Sequence, residues 1–157
     1  MFNNVILRNI RYTFDYSDPK MMAIFGLAGL QVTREDIGNW LKKEEDPACQ
    51  DCNDTHLATF LNGLIYDRRG KKEGPHPEPE KRLTNNIILK KLKIAMDLKS
   101  EDIVRILDLA DLRVSEHELS AFFRKPGHKH YRLCKDQILR NFLKGMQLKY
   151  RPDPLAV

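Results

Sequence analysis

The sequence predicts an all-α protein made of two pseudo-equivalent four-helix repeats joined by a Pro-rich extended linker. Three observations lead there. The stretch NNVILRNIRYTFDY at residues 3–16 returns as NNIILKKLKIAMDL at residues 85–98, an offset of 82. At that offset residues 3–69 lie on 85–151 without a gap, and about a quarter of the positions are identical, Ile6 with Ile88, Cys52 with Cys134 and Gly63 with Gly145 among them. Such self-similarity marks a duplicated unit. Apolar residues recur at three- and four-residue spacing, and no window alternates as a strand does.

The opening stretch of each repeat reads as an inner helix. In the second copy Ile88, Leu89, Leu92, Ala95 and Met96 cover one broad face, and Ile87, Ile94 and Leu98 cover much of the other. A narrow polar wedge of Asn86, Lys90, Lys93 and Asp97 is left as a wet edge, matched by Asn4, Arg8, Arg11 and Asp15 in the first copy. Asn3-Asn4 and Asn85-Asn86 are read as caps of these helices. Asp15 and Asp97, four residues after Arg11 and Lys93, are read as local ion-pair partners.

Asp18 before Pro19 predicts the N-cap of a second helix, with Ser100 in the cap's place in the second copy. That helix carries Met21, Ile24 and Phe25, or Ile103, Ile106 and Leu107, and ends where Gly29 or Asp111 can take a left-handed conformation. Thr33 with Asp36, and Ser115 with Glu118, have capping-box spacing and open a third helix that buries Ile37 and Trp40, or Leu119 and Phe122. A polar loop leads to a fourth helix, begun near Asp54 or Asp136. Between the copies Pro75, Pro77 and Pro79 forbid helix and favour an extended connector. The expected organisation is thus a first repeat over 1–69, a basic Pro-rich linker over 70–84, a second repeat over 85–151 and a tail over 152–157.

Composition narrows the class. A chain of 157 residues, 41% hydrophobic and 31% charged, is ordinary for a globular protein. No apolar run approaches the roughly 18 residues of a membrane span, and the first helical pattern leaves no room for a signal peptide, so a cytoplasmic address without membrane contact is expected. Cys49, Cys52 and Cys134 are too few, and odd in number, for a secreted disulfide framework and are read as thiols. The net charge of +5 is unevenly spread: residues 1–69 carry 8 Lys+Arg against 10 Asp+Glu, whereas residues 85–157 carry 15 against 9. The repeats share a pattern and differ in electrostatics.

The segments LNGLIYDRRGKKEGPHPEPEKRLTNNIILKKLKIAMDLK and FRKPGHKHYRLCKDQILRNFLKGM resemble the YehS-like family of bacterial proteins, built of two copies of a small domain of unknown function. The resemblance covers nearly the whole chain. It implies the two-copy architecture and a bacterial cytoplasmic setting, and brings no activity, cofactor or catalytic residue.

The strongest functional signal is the concentration of cations from Arg124 to Arg151. Arg124, Lys125, Lys129, Arg132, Arg140, Lys144 and Arg151, with His128, His130 and Tyr131 interspersed, are the candidate polyanion-binding residues. Lys135 and Lys149 belong to the same run, and Asp136 is its one acid. On the fourth helix Arg140, Lys144, Gln147 and Arg151 fall on one face, where the first copy has Ala58, Asn62, Ile65 and Arg69. A phosphate backbone is the natural partner, with aromatic and histidine rings available to stack on exposed bases. RNA or another polyanion is the expected ligand. The alternative is a protein partner bound by an adaptor through Pro75, His76, Pro77, Glu78 and Pro79 and the groove between the repeats.

A helix-turn-helix reading of LAGLQVT and LADLRVS is disfavoured, because the helices that follow open on Arg34-Glu35-Asp36 and Glu116-His117-Glu118. Carboxylates stand there where a DNA-reading helix presents donors. Cys49-x-x-Cys52 with His56 lacks a second ligand pair, and only Cys52 is repeated, so a buried thiol beside the fourth helix is the simpler reading. No metal, cofactor or catalytic motif is expected, and a non-enzymatic binding protein is.

Overall fold

The computed structural model describes residues 2–152. The expected tail beyond Pro152 lies outside the described residues. Among those residues there are eight helices and no strand: α1 Phe2–Phe14, α2 Asp18–Leu27, α3 Arg34–Leu41, α4 Asp54–Arg69, α5 Asn85–Ala95, α6 Ser100–Leu109, α7 Glu116–Phe122 and α8 Asp136–Tyr150. The chain divides into two compact units between Leu83 and Thr84, four helices in each.

Each unit has its own core. Ile6, Leu7, Ile10, Met21, Ile24, Phe25, Ile37, Leu57, Phe60, Leu61 and Leu64 are fully buried in the first, while Leu92, Ile103, Leu107, Leu119, Leu139 and Phe142 hold the corresponding places in the second. The tightest helix pairs are α2 with α4 and α6 with α8. They meet at glycine: an ideal Cβ on Gly63 would stand 1.9 Å from the Ile24 carbonyl oxygen, and one on Gly145 would stand 2.0 Å from that of Ile106. The identity of these glycines between repeats therefore follows from backbone contact.

The helix ends correct several sequence expectations. Ser17, not Asp18, caps α2 and accepts from the Lys20 N–H at 3.2 Å; Asp18 is the first helical residue, paired with Arg11 at 2.9 Å and Arg34 at 3.1 Å. In α6 the cap is Lys99, whose N–H donates to Asp102 at 2.8 Å, so Ser100 is not a cap. The capping boxes at Thr33/Asp36 and Ser115/Glu118 form as expected. Their carboxylates hold their own helix ends, which accounts for acids in those first turns without a DNA-reading role.

Asp15 and Asp97 have φ of 52° and 54°, and the next N–H turns back to Arg11 O at 3.1 Å and to Lys93 O at 2.9 Å. This is a Schellman closure with aspartate in the left-handed position, and the same closure ends α2 at Gly29 and α6 at Asp111. The repeat of aspartate at 15 and 97 thus has a backbone cause, because Asp and Asn tolerate that region better than other side chains.

The polar wedge is also placed differently. Asn4 and Asn86 are buried at 0% and 6% exposure, whereas Ile94 and its counterpart Tyr12 are exposed. Thr84 caps α5, so the paired asparagines are not caps. The Pro-rich segment returns to the first unit: Lys71 donates to Leu27 O at 2.8 Å, the Leu83 N–H donates to Asp54 at 2.9 Å, and the His76 ring lies 5.2 Å from Tyr66. Pro75, Pro77 and Glu78 are exposed, and Pro79 is half-buried.

Candidate functional site

The asparagine pairs hold the loop on which the second-repeat cations ride. Asn86 donates to Phe122 O at 3.0 Å and Arg132 O at 2.8 Å, and its side-chain oxygen accepts from the Cys134 N–H at 2.9 Å. Asn85 donates to Cys134 O at 3.0 Å and to Asp136 at 2.7 Å. The first repeat makes the same set, with Asn4 joining Trp40 O, Gln50 O and the Cys52 N–H, and Asn3 joining Cys52 O and Asp54. One amide side chain satisfies two carbonyls and one N–H, which uses both its donors and its acceptor.

Two turns complete the loop. The His128 N–H bonds Lys125 O, the Tyr131 N–H bonds His128 O, and the Arg132 N–H bonds Ala121 O, at 2.9, 3.0 and 3.1 Å. Asp46, Cys49 and Gln50 do the same in the first repeat. There the Asp46 carboxylate accepts from the Ala48 N–H at 2.9 Å; here His128 Nδ1 accepts from the His130 N–H at 3.0 Å. His128 therefore serves as a turn acceptor, a role the sequence alone does not separate from ligand binding.

The fixed loop, α7 and the first turn of α8 enclose a pocket of about 550 Å³ lined by His117, Glu118, Ala121, Phe122, Arg124, Lys129, His130, Arg132, Leu133, Lys135 and Ile138, with Ser120. Of the candidate residues, Arg124, Lys129, His130 and Arg132 line it together. Lys125, His128 and Tyr131 sit on the same loop outside it, and Arg140, Lys144 and Arg151 lie on or after α8 outside it. Arg140 and Arg151 are engaged within the protein, and Lys144 is exposed. His117 and the exposed Leu133 were not among the candidate residues. Their signal was available: Leu133 is an apolar residue in a cationic loop where the first repeat has Asp51.

Arg124, Lys129, Arg132 and Lys135 make no side-chain ion pair with any of the described residues. Three cations of the first unit are paired, Arg11 and Arg34 with Asp18 and Lys20 with Asp67 at 2.6 Å, whereas two guanidinium nitrogens of the first unit's Arg8 are buried without a hydrogen-bond partner, and in the second unit Arg105 pairs with Asp102 at 3.6 Å. At the same four loop positions the first repeat has Lys42, Pro47, Gln50 and Asn53. Lys42 there donates to Asn39 at 2.9 Å, and the His56 ring packs on Trp40 with centroids 4.9 Å apart. A second concavity, along α2 of the first unit, is bordered by Met22, Ala23, Gly26, Leu30 and Val32, and its one cation, Arg34, is paired with Asp18.

Cys52 and Cys134 are buried beside the helix caps, as the repeat predicted. Burial, reinforced by Asp54, pushes the Cys52 thiol up to about 12 from the ordinary 9.0; burial, reinforced by Asp136, pushes Cys134 up to about 11. Cys49 is half-buried, its thiol donating to Lys42 O at 3.3 Å. Because the folded values are raised, the unfolded chain loses these protons first, so the contribution is whole below pH 9 and is lost as pH rises from about 9 toward about 12. Native protein treated with iodoacetamide at pH 7.5 is expected to label at Cys49 first. Urea midpoints should fall between pH 8 and pH 10.5, with a smaller fall in Cys52→Ala. Rapid native labelling of Cys52 and Cys134 would contradict their burial.

Among the described residues no helix is long and apolar enough to cross a membrane. No solved structure matches the chain. The chain is similar to the uncharacterized protein YehS of Escherichia coli (strain K12), 47% identical over 147 residues that span 93% of this chain and 94% of that protein. A family model described as a protein of unknown function (DUF1456) matches twice, over residues 3–70 and 85–151. The two matches coincide with the two four-helix units, and the chain belongs to this tandem-domain, YehS-like family.

Proposed function

We propose that the protein is a non-enzymatic, cytoplasmic RNA-binding protein whose second repeat engages the phosphates of a single strand. The observation that carries this reading is the set of four cations, Arg124, Lys129, Arg132 and Lys135, around one pocket without ion-pair partners among the described residues. Charges left unpaired on a fixed loop keep their full field for a polyanion. The first repeat supports the same view by contrast, since an equivalent loop folds there with one cation at those positions. Folding does not require the charge. A single strand suits the site better than a duplex, because recognition helices with donors toward the major groove are missing from α3 and α7.

The test is fluorescence anisotropy with a labelled single-stranded RNA of mixed sequence. If the four cations contact four phosphates, log K should fall against log salt with a slope of roughly −3. The double variant Arg132→Glu with Lys135→Glu is expected to weaken binding by about 100-fold at low salt, while Lys42→Glu in the first repeat leaves it unchanged. Affinity indifferent to salt, or to the double reversal, rejects the proposal. An adaptor role through Pro75–Pro79 would instead give a pull-down that survives nuclease and is lost when residues 74–80 become Gly/Ser.

A further inference from the structure

We infer that the pocket between α7 and the 123–135 loop receives one unstacked base of the bound strand, so that the cations hold phosphates at its rim while an apolar slot holds a ring. This rests on the RNA reading above and assigns it a recognition element. The first repeat supplies the argument. At the equivalent place Trp40 carries the His56 ring at 4.9 Å, tilted by 41°, and His56 Nδ1 is buried with no hydrogen-bond partner. What the structure shows of that ring is its face packed against the indole. The fold thus has, at the start of its fourth helix, a seat in which a flat ring lies against the aromatic residue that ends the third.

In the second repeat the aromatic remains as Phe122, but the ring's position passes to Ile138 and the neighbouring Asp51 becomes Leu133. Phe122 is smaller than the indole of Trp40, the aliphatic Ile138 is flat on no face, and a pocket of about 550 Å³ lies against both. That is within the roughly 300–1,000 Å³ of small-ligand sites. Ala121, Phe122, Leu133 and Ile138 make its apolar wall, Arg124, Lys129, Arg132 and Lys135 are its cations, and His117, Ser120, His130 and one acid, Glu118, which is held in the α7 capping box, complete the lining. Leu133 is 61% exposed, the most exposed large hydrophobic among the described residues. A phosphate alone gains nothing from an exposed leucine, and an apolar ligand gains nothing from four cations. A nucleotide uses both, through base stacking and phosphate neutralisation.

The experiment compares three probes on the full chain: a single-stranded RNA 12-mer, an abasic ribose-phosphate oligomer of the same length, and inorganic polyphosphate. The intact RNA is expected to bind about 10-fold more tightly than the abasic oligomer, the worth of one stacked base. Ile138→Trp, which fills the seat, should erase that difference and leave polyphosphate affinity unchanged. Leu133→Ser, at an exposed position with little bearing on folding, should reduce the difference several-fold. Equal binding of RNA and abasic oligomer by the unaltered protein, or a difference that survives Ile138→Trp, overturns the base pocket while leaving the polyanion reading intact. Failure of all three probes to bind overturns both.

Discussion

Replacing Gly63 or Gly145 by alanine is expected to destabilise the protein by about 3 kcal/mol or more, at the upper end of what overpacking costs. The added Cβ would fall 1.9 Å from the Ile24 carbonyl oxygen in the first unit and 2.0 Å from that of Ile106 in the second. Both obstacles are backbone atoms in the middle of a helix, so no rotamer change relieves them. The pairs α2/α4 and α6/α8 must move apart, and these are the most extensive helix contacts in each unit. Separation opens gaps around Phe25 and Phe60, whose rings pack at 5.2 Å in the first core, and dispersion contact is lost over the whole seam. For units of this size such a loss should lower the melting temperature by roughly 10–20 °C. Thermal denaturation followed by circular dichroism measures it. Alanine at Gly38, where a Cβ meets nothing within 4 Å, should be neutral or mildly stabilising. A change under about 1 kcal/mol at Gly145 would show that the helices can part freely, contrary to close packing.

Asn4→Ala and Asn86→Ala are expected to cost about 3 kcal/mol each, for a different reason. Neither residue contributes much apolar area. Removing Asn86 leaves Phe122 O, Arg132 O and the Cys134 N–H without their partner, two of these bonds being fully buried; removing Asn4 does the same to Trp40 O, Gln50 O and the Cys52 N–H. A buried polar group that loses its partner costs the desolvation it no longer recovers. The near-isosteric Asn86→Asp separates this from lost volume, because a carboxylate can accept from the Cys134 N–H yet sets negative charge against two carbonyls. It should be no better than alanine. Urea denaturation gives the energies, and RNA binding distinguishes the two sites: Asn86→Ala loosens the loop that bears Arg124 to Lys135 and should weaken binding, whereas Asn4→Ala should not. Equal effects of both on binding would dissociate the clamp from the site.

Much of the scaffold was legible in the chain. The duplication, the eight helices, the capping boxes and the buried thiols all follow from local pattern, because helical periodicity and cap chemistry are settled within four residues of sequence. The caps of α2 and α6 were missed by a single residue, Asp18 being expected for Ser17 and Ser100 for Lys99, and two other misreadings come from contacts distant in sequence. Asn4 and Asn86 look like the wet end of a polar stripe, since the residues that desolvate them lie 36 to 48 positions away. Ile94 looks like core because nothing local says which side of α5 lacks a neighbour. At Asp15 and Asp97 the local pattern gives no sign of the left-handed turn that their φ values reveal.

The sequence by itself determined the helical class, the twofold repetition of one unit, and the gathering of positive charge in the later copy. Only the tertiary structure decided which of those charges share a site. Arg124, Lys129, Arg132 and Lys135 are brought to one pocket by an irregular loop, and a loop has no period from which facing could be read. Its course is set by the hydrogen bonds of Asn85 and Asn86, from the far end of the repeat. Arg140, Lys144 and Arg151, aligned by the regular period of their helix, are the ones that lie outside that pocket.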